Sequence, residues 1–180
     1  MLMKDIVFFG GAFDPPHLGH LAVLQFLETI SRFDEVWVVP SFFHPYAKKM
    51  ISYDHRIKMC ELMLPYLSSK VLVSDIERQW GQHPCYTLDV IRYAKKKDPL
   101  QNFWLVVGSD CQKDLPGWYQ YEKLKNEVNF FFLPRPGFKQ SPFPNISSTV
   151  VRECLAKRNG MDNLVTKEIL DYIIQNRLYC

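Results

Sequence analysis

Asp5-Ile6-Val7-Phe8-Phe9-Gly10-Gly11-Ala12-Phe13-Asp14-Pro15-Pro16-His17-Leu18-Gly19-His20 passes from one periodicity to another. Asp5 to Phe9 is near-continuously apolar, β-branched and aromatic, which predicts a strand buried on both faces. From Leu18 onward Leu21, Ala22, Leu24 and Leu27 recur three and four apart, which predicts a helix. Between them, Gly10 and Gly11 let the backbone turn and come close to a ligand. Pro15 and Pro16 stiffen the loop. His17 and His20 lie three apart at the first helical turn, so both rings project from one face. Gly19 between them removes a side chain where a nucleotide could lie, and the helix start adds unpaired N–H groups and a positive dipole end. A pair of metal ligands would have the same spacing, but no third ligand is suggested nearby. The glycines form neither G-x-G-x-x-G nor a G-x-x-x-x-G-K-[ST] loop.

The same alternation extends outward. Further strands are predicted at Glu35 to Val39, Lys70 to Ser74, Phe103 to Val107 and Asn129 to Leu133. Helical spacing marks Ile57 to Leu67, Leu88 to Ala94 and Tyr119 to Lys125. A Pro-rich loop, Pro134 to Pro144, then leads to helices near Thr149 to Ala156 and Thr166 to Gln175. Strands alternating with helices predict an α/β fold with a doubly wound parallel sheet of about five strands. Ligands in such sheets lie beyond the carboxyl ends of the strands, where strand order reverses. With the order 3-2-1-4-5, Gly108-Ser109-Asp110 at the end of strand four lies beside the first loop, and its small residue and carboxylate suit adenosine.

The whole chain sets the outer limits. Its 180 residues are expected to form one domain, 1–180, and 47% apolar with 23% charged residues can bury a core. A net charge of +3 does not suggest a nucleic-acid surface, though a local phosphate pocket remains open. The basic run Lys95 to Lys97 follows an apolar-periodic segment, as a helix C-terminus does. Five scattered cysteines without a C-x-x-C pair argue against a disulfide framework or a zinc ribbon, and reduced thiols point to the cytoplasm. The apolar stretch at the start is too short for a signal peptide, and no segment approaches a membrane span.

The first loop resembles the H-x-G-H signature of the nucleotidyltransferase superfamily, in the G-G-x-F-D-P-x-H-x-G-H form of its adenylyltransferases. Ile146-Ser147-Ser148-Thr149-Val150-Val151-Arg152 is similar to the second signature, I-S-S-T-x-x-R. Hydroxyls at a helix start, with an Arg one turn on, suit a polyphosphate. Gly108-Ser109-Asp110 and Pro134-Arg135-Pro136-Gly137 resemble the family's G-x-D and R-P-G. Trp118 to Glu122 is similar to a Trp segment of bacterial nicotinate mononucleotide adenylyltransferases. Pro84-Cys85-Tyr86-Thr87 resembles their S-Y-T, with Cys85 in place of serine. Phe42 to Lys49 departs from their N-x-P-P-H-K.

The resemblance implies a Rossmann-like nucleotidyltransferase fold and transfer of an adenylyl group from ATP to nicotinate mononucleotide. Nicotinate adenine dinucleotide and pyrophosphate are the products, in NAD biosynthesis. His17, His20 and Arg152 are the expected catalytic residues. ATP is expected at Gly10, Gly11, Phe13, Gly19, Gly108, Asp110, Arg135, Ile146, Ser148 and Thr149. The mononucleotide is expected at Lys48, Tyr86, Thr87 and Trp118. Mg²⁺ is expected on the ATP phosphates without protein ligands, and Asp14 is read as a loop organiser. Nicotinamide mononucleotide, phosphopantetheine or a sugar phosphate are alternative acceptors, and a non-catalytic nucleotide sensor is the alternative from another class. The resemblance implies no partner among nucleic acids or membranes.

Overall fold

Each central strand splits its apolar side chains between two faces. In the computed structural model, which describes residues 3–43, 49–134, 141–157, 159–160 and 163–179, β1 (Asp5–Gly11) pairs in parallel with β2 (Glu35–Pro40) and β4 (Asn102–Gly108). β3 (Val71–Val73) and β5 (Asn129–Leu133) complete a five-stranded parallel sheet ordered β3-β2-β1-β4-β5. Val7, Val36, Val38 and Val106 face one side, where they meet α1 (Leu18–Glu28), α2 (Tyr53–Glu61), α6 (Ser148–Lys157) and α7 (Lys167–Gln175). Ile6, Phe8, Phe103, Leu105 and Val107 face the other, against α3 (Ile76–Trp80), α4 (Thr87–Lys97) and α5 (Tyr121–Glu127). Leu24 and Leu27 of α1 and Leu88 and Ile91 of α4 are fully buried, each contributing roughly 2 kcal/mol. The predicted doubly wound order is the one observed.

The local differences have identifiable causes. Burial on both faces holds for the central strands but not at the edges, where Leu72 and Phe132 are exposed. α2 stops at Glu61, and a 3₁₀ turn over Leu64–Tyr66 replaces its expected last turns, because Pro65 cannot continue an α-helix. Helix α5 begins at Tyr121 rather than Tyr119, behind a 3₁₀ turn over Leu115–Gly117. α3, only five residues long, is too short for a helical period to register in the sequence.

Parallel pairing brings Gly11 level with Pro40, and Gly108 level with Leu133. The loops after β1, β2 and β4 therefore open on the same edge of the sheet, at the point where strand order reverses.

Candidate active site

His17 caps α1, and His20 occupies the third position of its first turn. The two bond reciprocally: the His20 N–H donates to His17 Nδ1 at 3.4 Å, and the His17 N–H donates to His20 Nδ1 at 3.2 Å. This is a capping box made by two imidazoles. Because each Nδ1 accepts, each neutral ring carries its proton on Nε2, so the far nitrogen is a donor. The rings stack at 3.7 Å, and Phe13 lies 4.8 Å from His20. Burial lowers the His17 pKa to about 4. Burial, with His17 beside it, holds His20 well below the usual imidazole range.

Glycines shape this corner. A Cβ on Gly19 would lie 2.9 Å from His17 Nδ1, so its bareness makes room for the imidazole. A Cβ on Gly11 would crowd the Phe13 ring at 3.2 Å. Phe13 itself is 1% exposed at a φ of 47°, a left-handed conformation uncommon for a bulky residue. Its ring packs against that of His20. The Leu18 N–H at the start of α1 is already bonded to the Leu164 carbonyl at 2.9 Å.

α6 is fastened to the same loop. Ser148 Oγ donates to the Pro15 carbonyl at 2.8 Å, and Arg152 Nη1 to the Asp14 carbonyl at 2.5 Å. Arg152 Nη2 also bonds Thr149 Oγ1 at 3.2 Å. Ser147, rather than Ser148, supplies the cap, accepting from the Val150 N–H at 3.3 Å. His17, His20, Thr149 and Arg152 thus meet around one loop, and Ile146 packs against the core close by. Asp14 is 3% exposed and accepts from Tyr179 Oη at 2.8 Å and from the Ile51 N–H.

Beside the histidine corner lies a cavity of about 250 Å³, walled by the end of β1 and by Leu105 and Val106 of β4. Gly10, Gly11, Tyr86, Thr87 and Trp118 line it together with Ser41, Glu77, Cys85 and Tyr119. Its wall includes the first residues of α4, whose N-terminus has no side-chain cap. The Tyr86 and Tyr119 rings stack at 4.0 Å. Gly108 leaves space that Asp110 uses, since a Cβ there would meet the Asp110 Oδ1 at 2.5 Å. Lys48 and Arg135 lie outside the described residues.

Sequence reasoning passed over three residues. Arg56 is 1% exposed and donates to three carbonyls: Ile51 at 3.2 Å, Ala12 at 2.8 Å and Ser41 at 2.7 Å. It joins the loops after β1 and β2. The signal was a charged residue on the buried stripe of α2 formed with Tyr53, Met59 and Cys60. Glu77 accepts from the Phe42 N–H at 2.7 Å, and burial pushes its pKa up to about 7. Burial and Glu77 likewise push the Cys85 thiol up. The third is Tyr179. Neither Glu77 nor Tyr179 carries any local pattern to betray it.

The chain matches the Cytidylyltransferase-like family over residues 8–154. It is 32% identical to the nicotinate-nucleotide adenylyltransferase of Bacillus subtilis, with 98% of this chain and 99% of that enzyme covered. Among solved structures it resembles Plasmodium falciparum nicotinic acid mononucleotide adenylyltransferase complexed with NaAD. That match has a TM-score of 0.85 and 28% identity over 98% of this chain and 97% of that one. The same Plasmodium enzyme complexed with APC aligns with a TM-score of 0.79 at 26% identity, covering 98% and 97%. With a family match over most of its length and a near-complete alignment to a named relative, the chain belongs to the Cytidylyltransferase-like family, beside nicotinate-nucleotide adenylyltransferases.

Proposed function

We propose that this chain joins the adenylyl group of ATP to nicotinate mononucleotide, giving nicotinate adenine dinucleotide and pyrophosphate. The observation that carries the reading is the mutual His17–His20 cap, which presents two Nε2 donors on one helix start beside the 250 Å³ cavity. The triphosphate lies at the start of α1, held by His17, His20, Thr149, Arg152 and the main-chain N–H of Ser148, with adenosine near Gly108 and Asp110. The pyridine ring enters the cavity against Trp118, with Tyr86 and Thr87 around it.

A 5′-phosphate oxygen of the mononucleotide attacks the α-phosphorus of ATP. The bond from that phosphorus to the oxygen bridging to the β-phosphate breaks, and pyrophosphate leaves. The nucleophile is already an anion, so no side chain has to remove a proton. Rate comes from alignment and from stabilising charge on the α-phosphate and the leaving pyrophosphate. The two imidazoles donate to the phosphate oxygens, and Arg152 offers a planar fork to the polyphosphate. The described residues contain no group of three His, Cys, Asp or Glu that could cage a metal. Mg²⁺ bound to the ATP phosphates would neutralise part of their charge, as its preference for phosphate and water allows.

The nicotinate carboxylate fits the uncapped start of α4, where backbone N–H groups and the dipole favour an anion. Glu77 opposes this preference only weakly, because burial pushes its pKa up to about 7. His17→Ala or His20→Ala should lower turnover by on the order of a hundredfold, the effect of losing one preorganised donor. The check is steady-state pyrophosphate release beside circular dichroism. Near-normal turnover in both folded variants would remove the imidazoles from the mechanism.

A further inference from the structure

We propose that Tyr179 is a positioning residue for ATP, acting through Asp14 to keep the Arg152 guanidinium available to the polyphosphate. The inference rests on the reading of Arg152 as a phosphate ligand. The Tyr179 hydroxyl donates to Asp14 Oδ1 at 2.8 Å, and the Ile51 N–H reaches the same oxygen at 3.4 Å. Two donors on one oxygen fix the rotation of the carboxyl. The other oxygen, Oδ2, then stands 4.0 Å from Arg152 Nη1, too far for a tight ion pair. Nη1 bonds the Asp14 main-chain carbonyl instead. The guanidinium is thus held by main chain and by Thr149, with further N–H groups left over for a ligand. Its side chain is 30% exposed, against 4% for Asp14 beneath it.

The tail is built to deliver this hydroxyl. After α7 the chain curls back, with the Leu178 N–H on the Ile173 carbonyl. Arg177 and Tyr179 both take left-handed conformations, at φ of 51° and 61°. Such conformations are uncommon for large side chains and persist where surrounding contacts enforce them. Burial and the Asp14 carboxyl raise the phenol pKa, so Tyr179 remains a donor. At the other end of the same segment, the Leu164 carbonyl accepts the Leu18 N–H. The C-terminal segment therefore grips the histidine loop on both sides of α7.

Without the hydroxyl, Asp14 is free to turn towards Arg152 and close the ion pair, which a phosphate must then break. The test is calorimetric titration of ATP with Mg²⁺ into the wild type, Tyr179→Phe, Arg152→Lys and the double variant. Titration of nicotinate mononucleotide and thermal melts run alongside. Tyr179→Phe should weaken ATP about five- to twentyfold and leave the mononucleotide within about twofold. In the Arg152→Lys background the same change should cost less than about twofold. Equal losses in both backgrounds would mean that Tyr179 does not work through Arg152, and would overturn the proposal. So would an unchanged ATP affinity in Tyr179→Phe when Arg152→Lys alone weakens it. Wild-type ATP affinity in Arg152→Lys would instead overturn the phosphate role of Arg152, and this proposal with it.

Discussion

A neutral imidazole pair brings donors but no charge to a polyanion, and its neutrality has a consequence for stability against pH. The folded protein holds His17 at about 4 and His20 well below the usual range, while the unfolded chain titrates near 6.5. Above about 6.5 both states are unprotonated, and the full stability is present. As pH falls from about 6.5 towards 4, the unfolded chain takes up protons that the folded one refuses. Stability should then drop by up to about 1.4 kcal/mol per pH unit for each histidine. A His17→Asn variant should show a shallower fall in melting temperature across that window, and a wild-type profile flat from pH 7 to 4 would contradict the assignment. At the other substrate, Trp118 lines the cavity, and base–aromatic stacking is worth about 1 to 3 kcal/mol. Trp118→Ala should therefore raise the Michaelis constant for the mononucleotide roughly ten- to a hundredfold and barely change that for ATP. An ATP defect of the same size would contradict the stacking geometry.

Secondary elements matter here chiefly for what their ends hold. α1 and α6 meet at the loop after β1, where Ser148 and Arg152 bond successive carbonyls, Pro15 and Asp14. α2 joins the loops after β1 and β2, because Arg56 holds Ala12 of one and Ser41 of the other. Arg56→Met removes a buried cation and its bonds to three partly buried carbonyls. The expected cost is about 2 to 4 kcal/mol in chemical denaturation, with both Michaelis constants rising together. A rise for one substrate only would show that the two loops are set independently. This level was also where the sequence was least legible. The histidine spacing, the Gly19 gap and the Ser-Thr-Arg helix start were readable because their chemistry is local and periodic. Arg56, Glu77 and Tyr179 act across 44, 35 and 165 residues on Ala12, Phe42 and Asp14, and no local window contains both partners. The burial of the Phe13 ring was not legible either, because it depends on a left-handed turn that brings the ring against His20.

At the scale of the molecule, parallel pairing in the order β3-β2-β1-β4-β5 sets the loops after β1 and β4 side by side. The alternation of strands and helices made the doubly wound parallel sheet legible in the sequence, and the order itself came with the nucleotidyltransferase resemblance. It brings a histidine-capped helix start next to a cavity rimmed by a second, uncapped one. Two anionic substrates can then approach from adjacent loops and react without a protein base. Among the described residues, no helix is long and apolar enough to cross a membrane. The most direct measurement gives the protein ATP, Mg²⁺ and either nicotinate or nicotinamide mononucleotide, and follows dinucleotide and pyrophosphate together. The account predicts equimolar formation of both products, with kcat/KM for the nicotinate acceptor about tenfold or more above that for the amide, the worth of one charge-assisted hydrogen bond. Equal or better use of nicotinamide mononucleotide would contradict the acceptor, and no dinucleotide from either would contradict the reaction itself.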